Sequence, residues 1–146
     1  MKNTLKAGER FEFAYTVPRE KTVPFLYREA PEFQKMPEVL ATGFMVGLME
    51  WTCVKLLDSF LDEGEGSLGT HVNFSHLAAT PPGHTVTVTA ICTDVDDNRI
   101  SFHVSAHDGD DLIGEGDHQR HVVSWDRFEA GVAKKVQRRE LARANG

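Results

Sequence analysis

The sequence predicts a single α+β domain in which a mainly antiparallel sheet curls around one long apolar helix. Three observations predict it. The chain has 146 residues, enough for one hydrophobic core and short for two. Its one long apolar stretch with helical character runs from Pro37 to about Leu61. After that stretch, four segments in succession carry the alternation and turn residues of strands.

Glu9–Val17 alternates in part and ends at Pro18, which suits a first strand. From Arg19 to Met36 the chain is irregular, because Pro24 and Pro31 prevent a long helix. Val23, Phe25, Leu26, Tyr27 and Phe33 crowd into this segment. Apolar residues that cannot enter a long element commonly fold over a site as a lid. Pro37 and Glu38 then suit the first turn of the long helix, and Asp62-Glu63-Gly64 ends it. That helix has almost no polar face before its last two turns, so burial on all sides is expected. Gly43 and Gly47 each cost about 0.8–1.0 kcal/mol of helix propensity relative to Ala; the return expected is close approach of another backbone.

Ser67–Ala79 reads as a strand closed by Pro81-Pro82-Gly83, and His84–Asp94 alternates Val86, Val88, Ala90 and Cys92 with threonines. Arg99–His107 places Ile100, Phe102, Val104 and Ala106 on one face, and Leu112–Ser124 follows the turn at 108–111. A helix over about 126–143 finishes the chain, with no linker and no internal repeat. One core domain over about 7–125 with an added C-terminal helix is the expected organisation. A helix with a sheet curled round it is the hot-dog arrangement. Such a sheet has an open edge, which predicts a homodimer.

Composition excludes several function classes. The net charge is −6 with a pI near 5.6, against general nucleic-acid binding. The charge is split, since residues 134–146 hold five basic residues against one acid, while the remainder holds 11 against 21. The basic tail reads as a solvated terminal helix. Cys53 and Cys92 stand in apolar patterns with no CxxC spacing, so they read as buried small hydrophobes. No apolar leader and no run of about 20 apolar residues is present, so a cytoplasmic protein without membrane association is expected.

Glu50 is the most informative residue, a carboxylate in the middle of an apolar helix between Met49 and Trp51. Desolvation there penalises its charged form unless a cation pairs with it. It is either a structural partner for a buried Arg or backbone group, or a catalytic base or nucleophile facing a cavity. Thr42 lies eight residues earlier, about 12 Å along the helix axis at about 1.5 Å per residue. The two cannot touch within one helix, so a shared site draws on two subunits. Taken alone, such a threonine is more often a first-turn or helix-packing hydroxyl.

The histidines do not form a metal set. His71 and His76 are five apart and face opposite sides of a strand, as do His118 and His121, three apart. His103 and His107 share a face but stand about 13 Å apart along it. Gly64-Glu65-Gly66-Ser67-Leu68-Gly69 matches GxGxxG in form, yet it follows a helix and precedes a strand, the reverse of a dinucleotide site. Gly69 nevertheless suits close backbone approach. Arg120 is either an exposed strand charge or a contact for an anionic ligand group.

Three stretches carry a resemblance: Ala41-Thr42-Gly43-Phe44-Met45-Val46-Gly47-Leu48-Met49-Glu50-Trp51, Gly64–Thr70, and His76-Leu77-Ala78-Ala79-Thr80-Pro81-Pro82-Gly83. They resemble the fluoroacetyl-CoA thioesterase family of the hot-dog superfamily, and the similarity covers about residues 7–125. The resemblance implies hydrolysis of a short acyl-CoA thioester without a cofactor, CoA being part of the substrate. It implies catalytic roles for Thr42, Glu50 and His76, substrate contacts at Gly69 and Arg120, and a lid from Val23, Leu26 and Phe33. The family's gating phenylalanine is replaced by Met36, a flexible, polarisable side chain. That departure bears on selectivity for a fluorinated acyl group more than on hydrolysis. An acyl-CoA hydratase of the same fold is the enzymatic alternative, although no Asp/His pair stands at 38–46. A non-catalytic acyl-CoA binding module and a purely structural dimer are the others.

Overall fold

A computed structural model describes residues 1–145. Strand β1 is Arg10–Thr16, a four-residue helical turn α1 is Pro31–Gln34, and the central helix α2 is Thr42–Asp58. Strands β2 (Glu65–His76), β3 (Thr85–Asp96), β4 (Arg99–His107) and β5 (Leu112–Ser124) follow, and helix α3 (Trp125–Asn145) ends the chain. The five strands make one antiparallel sheet in the order β1-β3-β4-β5-β2.

The alternation read from β3 and β4 sets the core. In register, Val88 faces Ala106, Ala90 faces Val104 and Cys92 faces Phe102, and all six are essentially fully buried. Helix α2 lies on this face through Met45, Leu48, Met49, Cys53, Leu56 and Leu57, spaced three and four apart. Leu57 has no exposed surface. Leu57→Ala is therefore expected to destabilise the fold by about 2–5 kcal/mol in chemical denaturation, the usual loss for an emptied core position.

Several expectations are corrected. The helix begins at Thr42, five residues after Pro37, and stops at Asp58. Residues 37–41 instead bend, held out of the helix by tertiary hydrogen bonds: Val23 N–H to Val39 O, Leu40 N–H to Thr80 O, and Ala41 N–H to Lys21 O. Those partners outweigh the helix-start signal of Pro37. The helix is buried on one face only, leaving Trp51 and Val54 exposed. Gly43 meets the Leu26 side chain, 3.2 Å from where a Cβ would stand, and Gly47 has nothing within 4 Å; neither meets another backbone. The strand after the helix pairs with β5, so it lies at the edge and the β2–β3 connection crosses the sheet.

The irregular segment before α2 is pinned at both ends. Thr22 bridges Leu40, and the exposed Arg19 guanidinium meets the Glu38 carboxylate at 2.7 Å. Between those anchors lie a 3-10 turn at Val23–Phe25 and α1. No helix among the described residues is long and apolar enough to cross a membrane. Cys53 and Cys92 are both free and buried, and burial pushes the Cys53 thiol up to about 12.

Candidate active site

Helix α2 carries two groups of polar side chains at different heights. At its first residue, Thr42 meets His76, the last residue of β2, with Oγ1 and Nδ1 2.8 Å apart. The other ring nitrogen, His76 Nε2, is buried and has no partner. Buried polar atoms are nearly always hydrogen-bonded, which sets this nitrogen apart from the other polar atoms of the site. A cleft of about 320 Å³ opens here, with Val23, Val39, Thr42, His76 and Ala78 in its wall. Burial holds the His76 imidazole below its ordinary 6.5, which favours the neutral ring.

Glu50 stands two turns further along α2, about 12 Å from Thr42 by the helical rise. Its Oε1 accepts from Arg120 Nη1 at 3.2 Å, and its side chain is 37% exposed while that of Arg120 is 7% exposed. Arg120 is a buried group, not an exposed strand charge, and Glu50 is a paired carboxylate with one side open to solvent. The guanidinium is fixed from three further directions: Nε donates to Ser67 Oγ at 2.8 Å, Nη2 to Ser67 O at 3.0 Å, and Nη1 to His118 Nε2 at 3.1 Å.

Gly69 faces Arg120 in the β2–β5 register, beside the bulge between Gly69 and His71. A Cβ there would stand 2.5 Å from Glu50 Oε1 and 3.4 Å from Arg120 Nη1. Only glycine leaves room for the carboxylate at that spot.

The structure therefore gathers Thr42, His76 and Val23 at one end of the helix and Glu50, Gly69 and Arg120 further along it. Leu26 covers Gly43 at the start of α2. Phe33 stacks on Tyr27 at 6.2 Å, and Met36 is 46% exposed; both lie outside the wall of the Thr42–His76 cleft. Ser67 and His118 are the polar residues that sequence reasoning missed. The available signal was strand parity, since His118 and Arg120 are two apart on β5 and so share a face. Among the described residues no group of three or more His, Cys, Asp or Glu is arranged to hold a metal ion.

An antiparallel sheet wrapped on one helix, with a carboxylate, an imidazole and a hydroxyl presented from that helix and its neighbouring strand, defines a hot-dog thioesterase. A Thermus thermophilus hypothetical protein of the thioesterase superfamily superposes with TM-score 0.85 at 31% identity, over 95% of this chain and 98% of its own. A family model described as fluoroacetyl-CoA-specific thioesterase (FlK) matches residues 18–126, and the chain belongs to that family. It is 55% identical, over 93% of its length and 98% of the relative's, to the fluoroacetyl-CoA thioesterase of Streptantibioticus cattleyicolor. A solved structure of the fluoroacetyl-CoA thioesterase FlK superposes with TM-score 0.89 at 54% identity, over 91% of this chain and 98% of that one. Another FlK structure holds fluoroacetate and CoA. The chain is thus a thioester hydrolase by family.

Proposed function

We propose that this chain hydrolyses the thioester of a short acyl-CoA, releasing the free acid and CoA, with Thr42, Glu50 and His76 carrying the chemistry. The unpartnered Nε2 of His76, a residue in the wall of the cleft, carries this assignment. With Nδ1–H donated to Thr42 Oγ1, Nε2 keeps its lone pair and can take a proton from water as the water oxygen attacks the acyl carbon, either in the thioester itself or in the mixed anhydride left once Glu50 has attacked and displaced the thiolate. The thiolate of CoA leaves and collects the proton. Nucleophilic attack and proton transfer are divided between Glu50 and His76, and Thr42 orients the ring. Gly69 and Arg120 hold the Glu50 carboxylate and the acyl end of the substrate, beneath a lid of Val23, Leu26, Phe33 and Met36. The chemistry needs no cofactor beyond the CoA of the substrate itself.

Because Thr42 and Glu50 are about 12 Å apart on one helix, a complete site takes its two ends from two copies. The open edge of β2, exposed over residues 70–73, offers the surface for pairing with a second copy. The resulting homodimer would bring the Thr42–His76 end of one subunit to the Glu50–Arg120 end of the other. A cytoplasmic setting suits both the CoA substrate and two free cysteines.

A panel of acetyl-, fluoroacetyl- and longer acyl-CoAs, followed by free-thiol release, tests the proposal. Hydrolysis that is fastest for two-carbon acyl groups is expected, and binding without thiol release would identify a non-catalytic module instead. Met36→Phe on the same panel addresses selectivity. A rigid ring in place of the flexible thioether is expected to raise the fluoroacetyl-to-acetyl ratio of kcat/KM by about tenfold, an effect of about 1.4 kcal/mol on one transition state relative to the other.

A further inference from the structure

His118 has no exposed surface and stands at the centre of β5, between the rings of Phe74 on β2 (5.9 Å) and Phe102 on β4 (6.3 Å). Its Nδ1 is 2.7 Å from the backbone carbonyl oxygen of His71. A carbonyl oxygen only accepts, so Nδ1 bears the proton and the ring is its donor. Nε2 is then left with a lone pair, and Arg120 Nη1 stands 3.1 Å away as a donor. Both ring nitrogens are satisfied by this one tautomer and by no other.

Arg120 Nη1 has two N–H bonds. One points to His118 Nε2 and the other to Glu50 Oε1 at 3.2 Å, while Nε and Nη2 are taken by Ser67. The guanidinium plane is rigid, so fixing one Nη1 hydrogen on His118 fixes the direction of the other. Oε1 of Glu50 is the oxygen engaged by the guanidinium, which orients Oε2 as the second oxygen of that carboxylate.

We propose that His118 is a positioning residue for hydrolysis: as the neutral Nδ1–H tautomer, strung between the His71 carbonyl and Arg120, it sets the orientation of the guanidinium and through it that of the Glu50 carboxylate. This rests on the role of Glu50 proposed above. His118 is not in the wall of the cleft at His76, and its Nε2 stands 4.0 Å from Glu50 Oε1, so its hydrogen-bonded link to that carboxylate runs through Arg120. Arg120 on β5, Glu50 on α2 and His71 on β2 are the charged and titratable groups that face it; β4 presents Phe102. Burial is the largest influence and holds the ring below its ordinary 6.5, with Arg120 acting in the same direction and the His71 carbonyl and Glu50 opposing. A charged His118 would lose its acceptor and set a second cation against the guanidinium.

The test compares His118→Phe, which keeps a flat ring and removes both hydrogen bonds, with His118→Gln, whose amide supplies one donor and one acceptor. His118→Phe is expected to lower kcat for acetyl-CoA hydrolysis about 10–100-fold, the usual effect of releasing a group that orients a reacting residue. The fall in kcat should exceed any rise in KM, since the lid and the Thr42–His76 end are untouched. His118→Gln is expected to recover kcat to within about threefold of wild type. A purely structural role would lower the melting temperature of both variants alike and leave kcat per folded enzyme unchanged, which overturns the proposal. Glu50→Gln serves as the control: wild-type kcat there overturns the assigned function, whereas an inactive Glu50→Gln beside a wild-type His118→Phe overturns only the role of His118. Nitrogen-15 NMR of the wild-type ring gives a readout independent of activity and of variant folding. A neutral ring protonated on Nδ1 at pH 7 is expected, and a charged ring or a proton on Nε2 overturns the proposal.

Discussion

Replacing His76 by alanine is expected to lower thiol release from a short acyl-CoA by about 10²- to 10⁴-fold, the range typical of a lost general base. The imidazole is the one group in the cleft with a buried, unpartnered nitrogen, and Thr42 has no basic atom to put in its place. The mutation also removes the partner of the Thr42 hydroxyl, so Thr42→Ala alone should cost less than His76→Ala. A pH profile adds a second readout. Burial holds His76 below 6.5, so the neutral, active ring persists as the medium is acidified past that value. The acid limb of kcat attributable to this group should fall below pH 6.5 and disappear in His76→Ala. Stability follows the same sign. An unfolded chain protonates this histidine at about 6.5 while the folded chain resists it, so stability present above that pH is lost as pH falls toward the folded value. A His76→Ala enzyme with undiminished kcat would remove the residue from the chemistry.

The second large effect concerns the Glu50 carboxylate, which can be struck from two sides. Glu50→Gln keeps the shape of the side chain, removes its charge, and is expected to reduce kcat at least as much as His76→Ala. Gly69→Ala leaves Glu50 chemically intact and displaces it. The added Cβ would stand 2.5 Å from Oε1, well inside contact distance, and the carboxylate is the movable party because Arg120 is held by Ser67 and His118. A shift of about 1 Å in a reacting group costs about 100-fold, so a loss of that order in kcat is expected. The melting temperature should change little, because Gly69 is exposed and outside the hydrophobic core. A crystal structure of Gly69→Ala should show the Glu50 carboxylate swung off the guanidinium; an unmoved carboxylate with lost activity would assign Gly69 to substrate contact instead.

The sheet was legible because strand alternation is a local signal, and Val86 to Cys92 and Ile100 to Ala106 carry it without interruption. The existence of the central helix was legible from its apolar run. Its start was not, because Leu40 and Ala41 donate to Thr80 and Lys21, residues far along the chain whose pull a local pattern cannot register. The same limit governs the site. Glu50 stood out as a carboxylate in an apolar helix, but its partner Arg120 is 70 residues away and read equally well as a solvated strand charge. His118 carried no signal of its own beyond strand parity. Its two partners are a backbone oxygen and a side chain whose burial depends on the whole sheet.

The anchoring of the segment over residues 22–40 has a consequence for how selectivity is encoded. Its two ends are clamped to each other by the Thr22–Leu40 bridge and the Arg19–Glu38 pair, and Leu40 is clamped in turn to Thr80. The span between the clamps is a closed loop whose entropic cost grows slowly with length, by about 0.6 kcal/mol for each doubling. Residues such as Phe33 and Met36 can therefore be exchanged, or the tip lengthened, without disturbing β1, the sheet or the catalytic end of α2. In the proposed enzyme the tip of the lid is thereby set apart from the groups that carry the chemistry, so the size and polarity of the acyl group admitted can drift while the hydrolytic step stays intact.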